Sequence, residues 1–160
     1  MYQHDNGLIG LWYMDGTTLI SPTLFTPNHP GDANWRIVGT GDFNQDGQTD
    51  LLWQYSSPGA YHDGQLAVWY MNGIALDTPT LLNPPFPDTF TWPENKKWRV
   101  VATGDYNGDG QVDILFQYKN PGGGSDGNLE LWTMNGVNRL AKTPLTPAHP
   151  GAGWAIVGPK

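Results

Sequence analysis

Trp35-Arg36-Ile37-Val38-Gly39-Thr40-Gly41-Asp42-Phe43-Asn44-Gln45-Asp46-Gly47-Gln48-Thr49-Asp50-Leu51-Leu52-Trp53-Gln54-Tyr55 returns 63 residues later as Trp98-Arg99-Val100-Val101-Ala102-Thr103-Gly104-Asp105-Tyr106-Asn107-Gly108-Asp109-Gly110-Gln111-Val112-Asp113-Ile114-Leu115-Phe116-Gln117-Tyr118. A match over 21 residues without a gap marks a structural repeat. The apolar runs on either side of the Asp-rich centre are β-branched and aromatic, so each copy reads as strand, polar loop, strand.

Working outward, a second element occurs three times, as Leu11-Trp12-Tyr13-Met14-Asp15-Gly16, Val68-Trp69-Tyr70-Met71-Asn72-Gly73 and Leu131-Trp132-Thr133-Met134-Asn135-Gly136. It supplies a third strand (66–71 and 129–134) and a hairpin signal. Asp15-Gly16, Asn72-Gly73 and Asn135-Gly136 predict type I′ turns, in which both central residues have positive φ. A fourth strand follows each turn, over 17–25, 74–82 and 137–145. Gly and Pro are scattered between short runs and no stretch carries a helical stripe. The expected fold class is all-β, a β-propeller of four-stranded antiparallel blades, in which neighbouring sheets bury each other's faces.

The 160 residues read as one propeller segment. Residues 1–34 supply strands three and four of a first blade, with 1–4 as a shortened strand two. A second blade covers 35–97 and a third 98–153. Strand one of a following blade is expected over 154–160, where Trp154-Ala155-Ile156-Val157-Gly158 echoes the repeat without a metal loop. Two and three-quarter blades do not close a ring, since propellers use roughly four to eight. The expectation is a homo-oligomer, with two copies giving about six blades. A piece of a larger propeller is the alternative.

Asp42, Asn44, Asp46 and Asp50, and in register Asp105, Asn107, Asp109 and Asp113, place side-chain oxygens at loop positions 1, 3, 5 and 9. Gly47 and Gly110 at position 6 permit the sharp bend, and Gln48 and Gln111 at position 7 are expected to contribute backbone carbonyls. An all-oxygen set with three carboxylates per loop suits hard Ca²⁺, two ions per chain, and has no use for Zn²⁺ or Cu²⁺. An EF-hand would close with Glu at position 12 between helices; here Asp closes at position 9 between strands. A purely polar turn is the competing reading.

The run Gly41-Asp42-Phe43-Asn44-Gln45-Asp46-Gly47-Gln48-Thr49-Asp50 followed by Leu51-Leu52-Trp53-Gln54 resembles the FG-GAP, or VCBS-type, repeats of integrin α-subunit propellers, bacterial surface proteins and some propeller lectins. The resemblance implies a Ca²⁺-stabilised propeller and carries the ligand roles onto the ten loop residues named above. The third repeat departs from it, since Pro159 and Lys160 stand where the loop would begin.

Function classes narrow from composition. Net charge is −7 with eight Lys and Arg, which removes the basic footprint that nucleic-acid binding needs. There is no Cys for disulfides or thiol chemistry, and no apolar run of membrane-spanning length. No Gly-x-Ser-x-Gly elbow or phosphate-cradling loop is present and six of the fifteen carboxylates sit in the metal loops, so no enzyme is expected. Six of the eight Trp recur at fixed repeat positions, which favours inter-blade core over sugar stacking. Trp92, in the insertion 84–97, is the better candidate for an exposed contact. His29 and His149, in the repeated Thr-Pro-x-His-Pro-Gly loops, read either as ligand donors or as turn stabilisers. The resulting expectation is a non-catalytic extracellular or cell-surface module that recognises glycans or surface proteins. A purely structural scaffold is the rival reading, ahead of a polysaccharide-active enzyme segment.

Overall fold

The computed structural model of the protein describes residues 1–87, 97–149 and 154–156. Its described residues form three antiparallel sheets. The first contains β1 (Tyr2–Gln3), β2 (Ile9–Asp15) and β3 (Thr18–Leu24), in that order. The second is β4 (Trp35–Gly41), β5 (Asp50–Tyr55), β6 (Leu66–Asn72) and β7 (Ala75–Leu81). The third repeats it as β8 (Trp98–Gly104), β9 (Asp113–Tyr118), β10 (Leu129–Asn135) and β11 (Asn138–Pro144). This all-β, propeller-type arrangement follows the expected four-strand unit, including the short strand at the N-terminus. Trp154–156 carry no strand assignment, and the rest of that expected strand lies outside the described residues.

Register irregularities repeat as faithfully as the strands. Val38 in β4 and Val101 in β8 are skipped in the pairing with the next strand, and Ile20, Asp77 and Leu140 are skipped in the outermost strands. Such bulges sharpen local twist, and their recurrence gives every blade the same curvature. The hairpin turns differ from expectation. Asp15, Asn72 and Asn135 pair with Thr18, Ala75 and Asn138, so each two-residue loop begins at glycine, not at the Asp or Asn. Gly16, Gly73 and Gly136 have φ of 57°, 62° and 58°, and none of the three preceding residues has positive φ. Glycine first with a negative φ after it is the type II′ pattern.

Two apolar clusters lie between the sheets. Ile9 and Phe25 of the first sheet meet Trp53, Trp69 and Met71 of the second. Leu52, Leu66 and Val68 on the other face of the second sheet meet Val100, Phe116 and Trp132 of the third. Each sheet is thus buried on both faces only where another sheet stands against it. The three Trp at one repeat position show this: Trp132 is 0% exposed, Trp69 8% and Trp12 54%. Sequence position predicts a core role for all three, and tertiary packing grants it to two.

The sheets are also stitched by hydrogen bonds. At the inner edge, Gln54 Nε2 donates to the Trp98 carbonyl at 3.0 Å and its Oε1 accepts from Val100 N at 3.2 Å. Gln3 makes the same pair of bonds to Trp35 O (2.8 Å) and Ile37 N (3.0 Å). Gln117 Nε2 donates to Trp154 O at 3.0 Å, which places Trp154 against the third sheet as Trp98 is placed against the second. At the outer edge, Thr26 N and O bond to Ile74 O and Leu76 N, and Asn83 repeats the arrangement with Val137 and Arg139.

Candidate metal centre

The two Asp-rich loops join β4 to β5 and β8 to β9. Asp42 accepts from Asp46 N (3.0 Å) and Gly47 N (2.8 Å), Asn44 Oδ1 accepts from Asp46 N (3.1 Å), and Asp46 Oδ1 accepts from Gln48 N (2.8 Å). Asp105, Asn107 and Asp109 reproduce these bonds with Asp109, Gly110 and Gln111 N. Side chains accepting from backbone two to five residues on wind the chain tightly, and Asn44 Nδ2 and Asn107 Nδ2 close the turns by donating to Asp46 Oδ2 and Asp109 Oδ2, each at 2.8 Å. Gly47 and Gly110 both have φ of 84°, as the bend at position 6 requires. At position 4 the loops differ: Gly108 has φ 81°, and Gln45 adopts φ 61° despite its side chain.

Asp50 and Asp113 stand apart from the other acids of the loops, because both are fully buried. Asp50 Oδ2 accepts from Phe43 N and Oδ1 from Met71 N, each at 2.9 Å. Asp113 accepts from Tyr106 N (3.1 Å) and Met134 N (2.9 Å). The ninth loop position therefore ties the loop to the third strand of its blade, a role that the sequence did not reveal. Gln48 and Gln111 add to it, since their Oε1 atoms accept from Gly73 N (3.3 Å) and Gly136 N (3.2 Å) in the hairpin turns.

Burial pushes the Asp50 carboxyl above its usual range; the Met71 and Phe43 amides oppose this, and the charges of Asp46 and Asp42 add to it. Asp105 is exposed, and the Gly110 amide chiefly holds it below its usual value. Among the described residues no group of three or more His, Asp or Glu side chains is already gathered as a metal cage. The donor chemistry nevertheless fits a hard cation: Asp42, Asn44 and Asp46 present oxygens at an open loop, and Asp50 feels the uncompensated charge of both Asp neighbours. Asp42, Asn44, Asp46 and Asp50, with Gln48, and their counterparts Asp105, Asn107, Asp109, Asp113 and Gln111, are the residues that would hold it. The bound ion would supply positive charge that cancels this repulsion.

Residues 34–69 match the FG-GAP repeat. The match spans β4, the first Asp-rich loop, β5 and most of β6. No curated protein and no solved structure matches the chain.

The other residues singled out by sequence fall in different places. His29 Nδ1 accepts from Gly31 N (2.9 Å) and its Nε2 bonds to Asn6 O (2.7 Å), so both ring nitrogens hold loops together. His149 is half-buried at the matching place after β11. Trp92 lies outside the described residues. Sequence reading passed over the recurring Gln3, Gln54 and Gln117, although Gln54 and Gln117 stand at one position of the duplicated block. Asp63 is buried, accepts from Ser57 N at 3.0 Å and pairs with Arg99 of the next sheet at 3.3 Å.

Proposed function

We propose that the chain is a non-catalytic, calcium-stabilised propeller module of the cell exterior, whose rigid blades carry a recognition surface for a glycan or a surface protein. The observation that supports this reading is the double occurrence of one loop in one structural place. Both Asp-rich loops join the innermost strand to the second, and both are anchored by a buried Asp that accepts amides from the loop and from the third strand. No helix among the described residues is long and apolar enough to cross a membrane. Millimolar extracellular calcium fills loops of modest affinity.

Calorimetric titration of the chelated protein with Ca²⁺ tests the metal reading, with two sites expected and one after either Asp46→Ala or Asp109→Ala. At a hundredfold excess over Kd each site adds about 2.7 kcal/mol of stability. Unchanged melting in calcium and chelator would overturn it. Glycan-array binding that survives Asp46→Ala separates recognition from metal stabilisation.

The same reading extends to assembly. The first sheet presents Tyr2, Trp12 and Met14 exposed, at 43%, 54% and 45%, on the face whose counterparts are buried in the other two sheets. A second copy supplies the covering blade in this proposal, giving a closed ring of about six blades. Light scattering that finds a monomer in calcium would refute it.

A further inference from the structure

On the face of the second sheet that is turned toward the first lies an open cavity of about 220 Å³, lined chiefly by Pro30 of the connecting loop and by Trp35, Trp53, Ala67, Trp69 and Pro79. The repeat contains its own guide to what belongs there. By strand register, Ala67 corresponds to Glu130, Trp69 to Trp132, Pro79 to Lys142 and Trp35 to Trp98, and Pro30 precedes the second sheet as Pro87 precedes the third. Between the second and third sheets this place is filled. Glu130 Oε1 accepts from Trp132 Nε1 at 2.9 Å, and Lys142 Nζ lies 3.2 Å from Glu130 Oε2. The same ammonium donates to Pro87 O at 3.4 Å and stands 6.0 Å from the centre of the Trp98 ring. A carboxylate and an ammonium thus share the slot, paired with each other and held by groups of the wall.

In the earlier slot both charged side chains are replaced by small or apolar ones, and the wall groups remain. Ala67 brings no carboxylate to the Trp69 indole N–H. Pro79 brings no ammonium to the Trp35 face or the Pro30 carbonyl. Trp53, which stands where the third sheet has Phe116, adds a buried indole N–H with no partner among the described residues. Exposed Pro79 and Leu81 lie at the rim, so the cavity reaches solvent.

We propose that this slot binds a small zwitterion of the free α-amino-acid class. Its ammonium takes the place of the Lys142 head, on the Trp35 face and the Pro30 carbonyl. Its carboxylate takes the place of the Glu130 head, on the Trp69 indole N–H. The internal pairing of the two charges satisfies each in part, as it does for Glu130 and Lys142, and an indole face adds attraction for the cation. The apolar remainder of the wall, chiefly Pro79 and the ring carbons of Trp53, receives an aliphatic side chain. A cavity below the roughly 300–1,000 Å³ of sites for drug-sized ligands suits a molecule of one residue's size. A neutral sugar fits the wall less well, because its several hydroxyls would face few polar partners.

The test is titration of the full chain with L-norleucine, once in calcium and once in chelator, followed by the indole N–H signals in two-dimensional NMR. Saturable shifts at Trp35 and Trp69 are expected in calcium, the chelator arm showing whether the slot depends on loop filling. n-Pentylammonium, which lacks the carboxylate, and hexanoate, which lacks the ammonium, bind at least tenfold more weakly. The Ala67→Glu/Pro79→Lys double variant rebuilds the third-sheet ion pair and abolishes binding. Trp69→Phe, which keeps a ring and removes the N–H, weakens it about tenfold and serves if the double variant does not fold. Absence of shifts at Trp35 and Trp69, equal binding of either single-charge analogue, or undiminished binding by a folded variant would overturn the proposal.

Discussion

Gln54→Leu removes the inner stitch between the second and third sheets while keeping a side chain of similar size. Three hydrogen bonds go with it: Nε2 to Trp98 O at 3.0 Å, Nε2 to Gly64 O at 3.4 Å, and Val100 N to Oε1 at 3.2 Å. Trp98 O retains a donor, because Arg99 Nη1 reaches it at 3.0 Å. Val100 N donates to Oε1, and Val100 is buried, so the variant takes away the acceptor of a buried amide. A buried amide left without an acceptor costs about 1–3 kcal/mol, and each lost neutral bond about 1 kcal/mol net. The added apolar burial of leucine offsets part of this, leaving a loss of about 2–3 kcal/mol. For a chain of this size that lowers Tm by about 4–12 °C. Gln3→Leu is the internal control. It deletes the same two bonds to the next sheet, but Gln3 is half-buried on a two-residue strand, so water replaces them and the loss stays below about 1 kcal/mol. Urea unfolding in saturating calcium, with the m-value required to stay constant, measures both. Equal losses for the two variants would refute the reasoning, because the expected difference comes from burial and not from the number of bonds.

Other outcomes follow from comparing one copy of the repeat with the other. Gln45→Gly stabilises the chain by about 0.5 kcal/mol in thermal melts, because φ 61° suits glycine, whereas Gly108→Gln destabilises by about 1 kcal/mol. Gly39→Ala costs about 1–3 kcal/mol in denaturant, since an added Cβ would lie 2.6 Å from Thr103 Cγ2 where β4 packs on β8. Asp63→Ala costs about 1–2 kcal/mol, because it strands Ser57 N and unpairs a partly exposed Arg99; double-mutant melts with Arg99→Ala should show coupling that shrinks in high salt.

Much of the fold was legible because its causes are local. Alternating aromatic and β-branched residues define strands, and Asp, Asn and Gly at fixed offsets define the loops between them. The loop residues and the repeat boundaries come from the same signal. Side chains that act between blades were harder to read. Gln54 stands beside Tyr55 in a strand and has no mark of its own; its role appears only once Trp98 and Val100 are brought alongside. Asp50 reads in the sequence as one more calcium ligand; that its two oxygens also accept from the Phe43 and Met71 amides appears only in the fold.

What the sequence alone determined is the unit: four strands, an Asp-rich loop after the first, and a glycine turn before the last. Tertiary structure decided what each copy of that unit does. Trp12, Trp69 and Trp132 are the same residue at the same repeat position, yet they range from exposed to fully buried. Phe43 is 1% exposed and its counterpart Tyr106 47%. The physical reason is that a strand's alternation fixes which face a side chain takes, whereas burial depends on whether another sheet stands against that face.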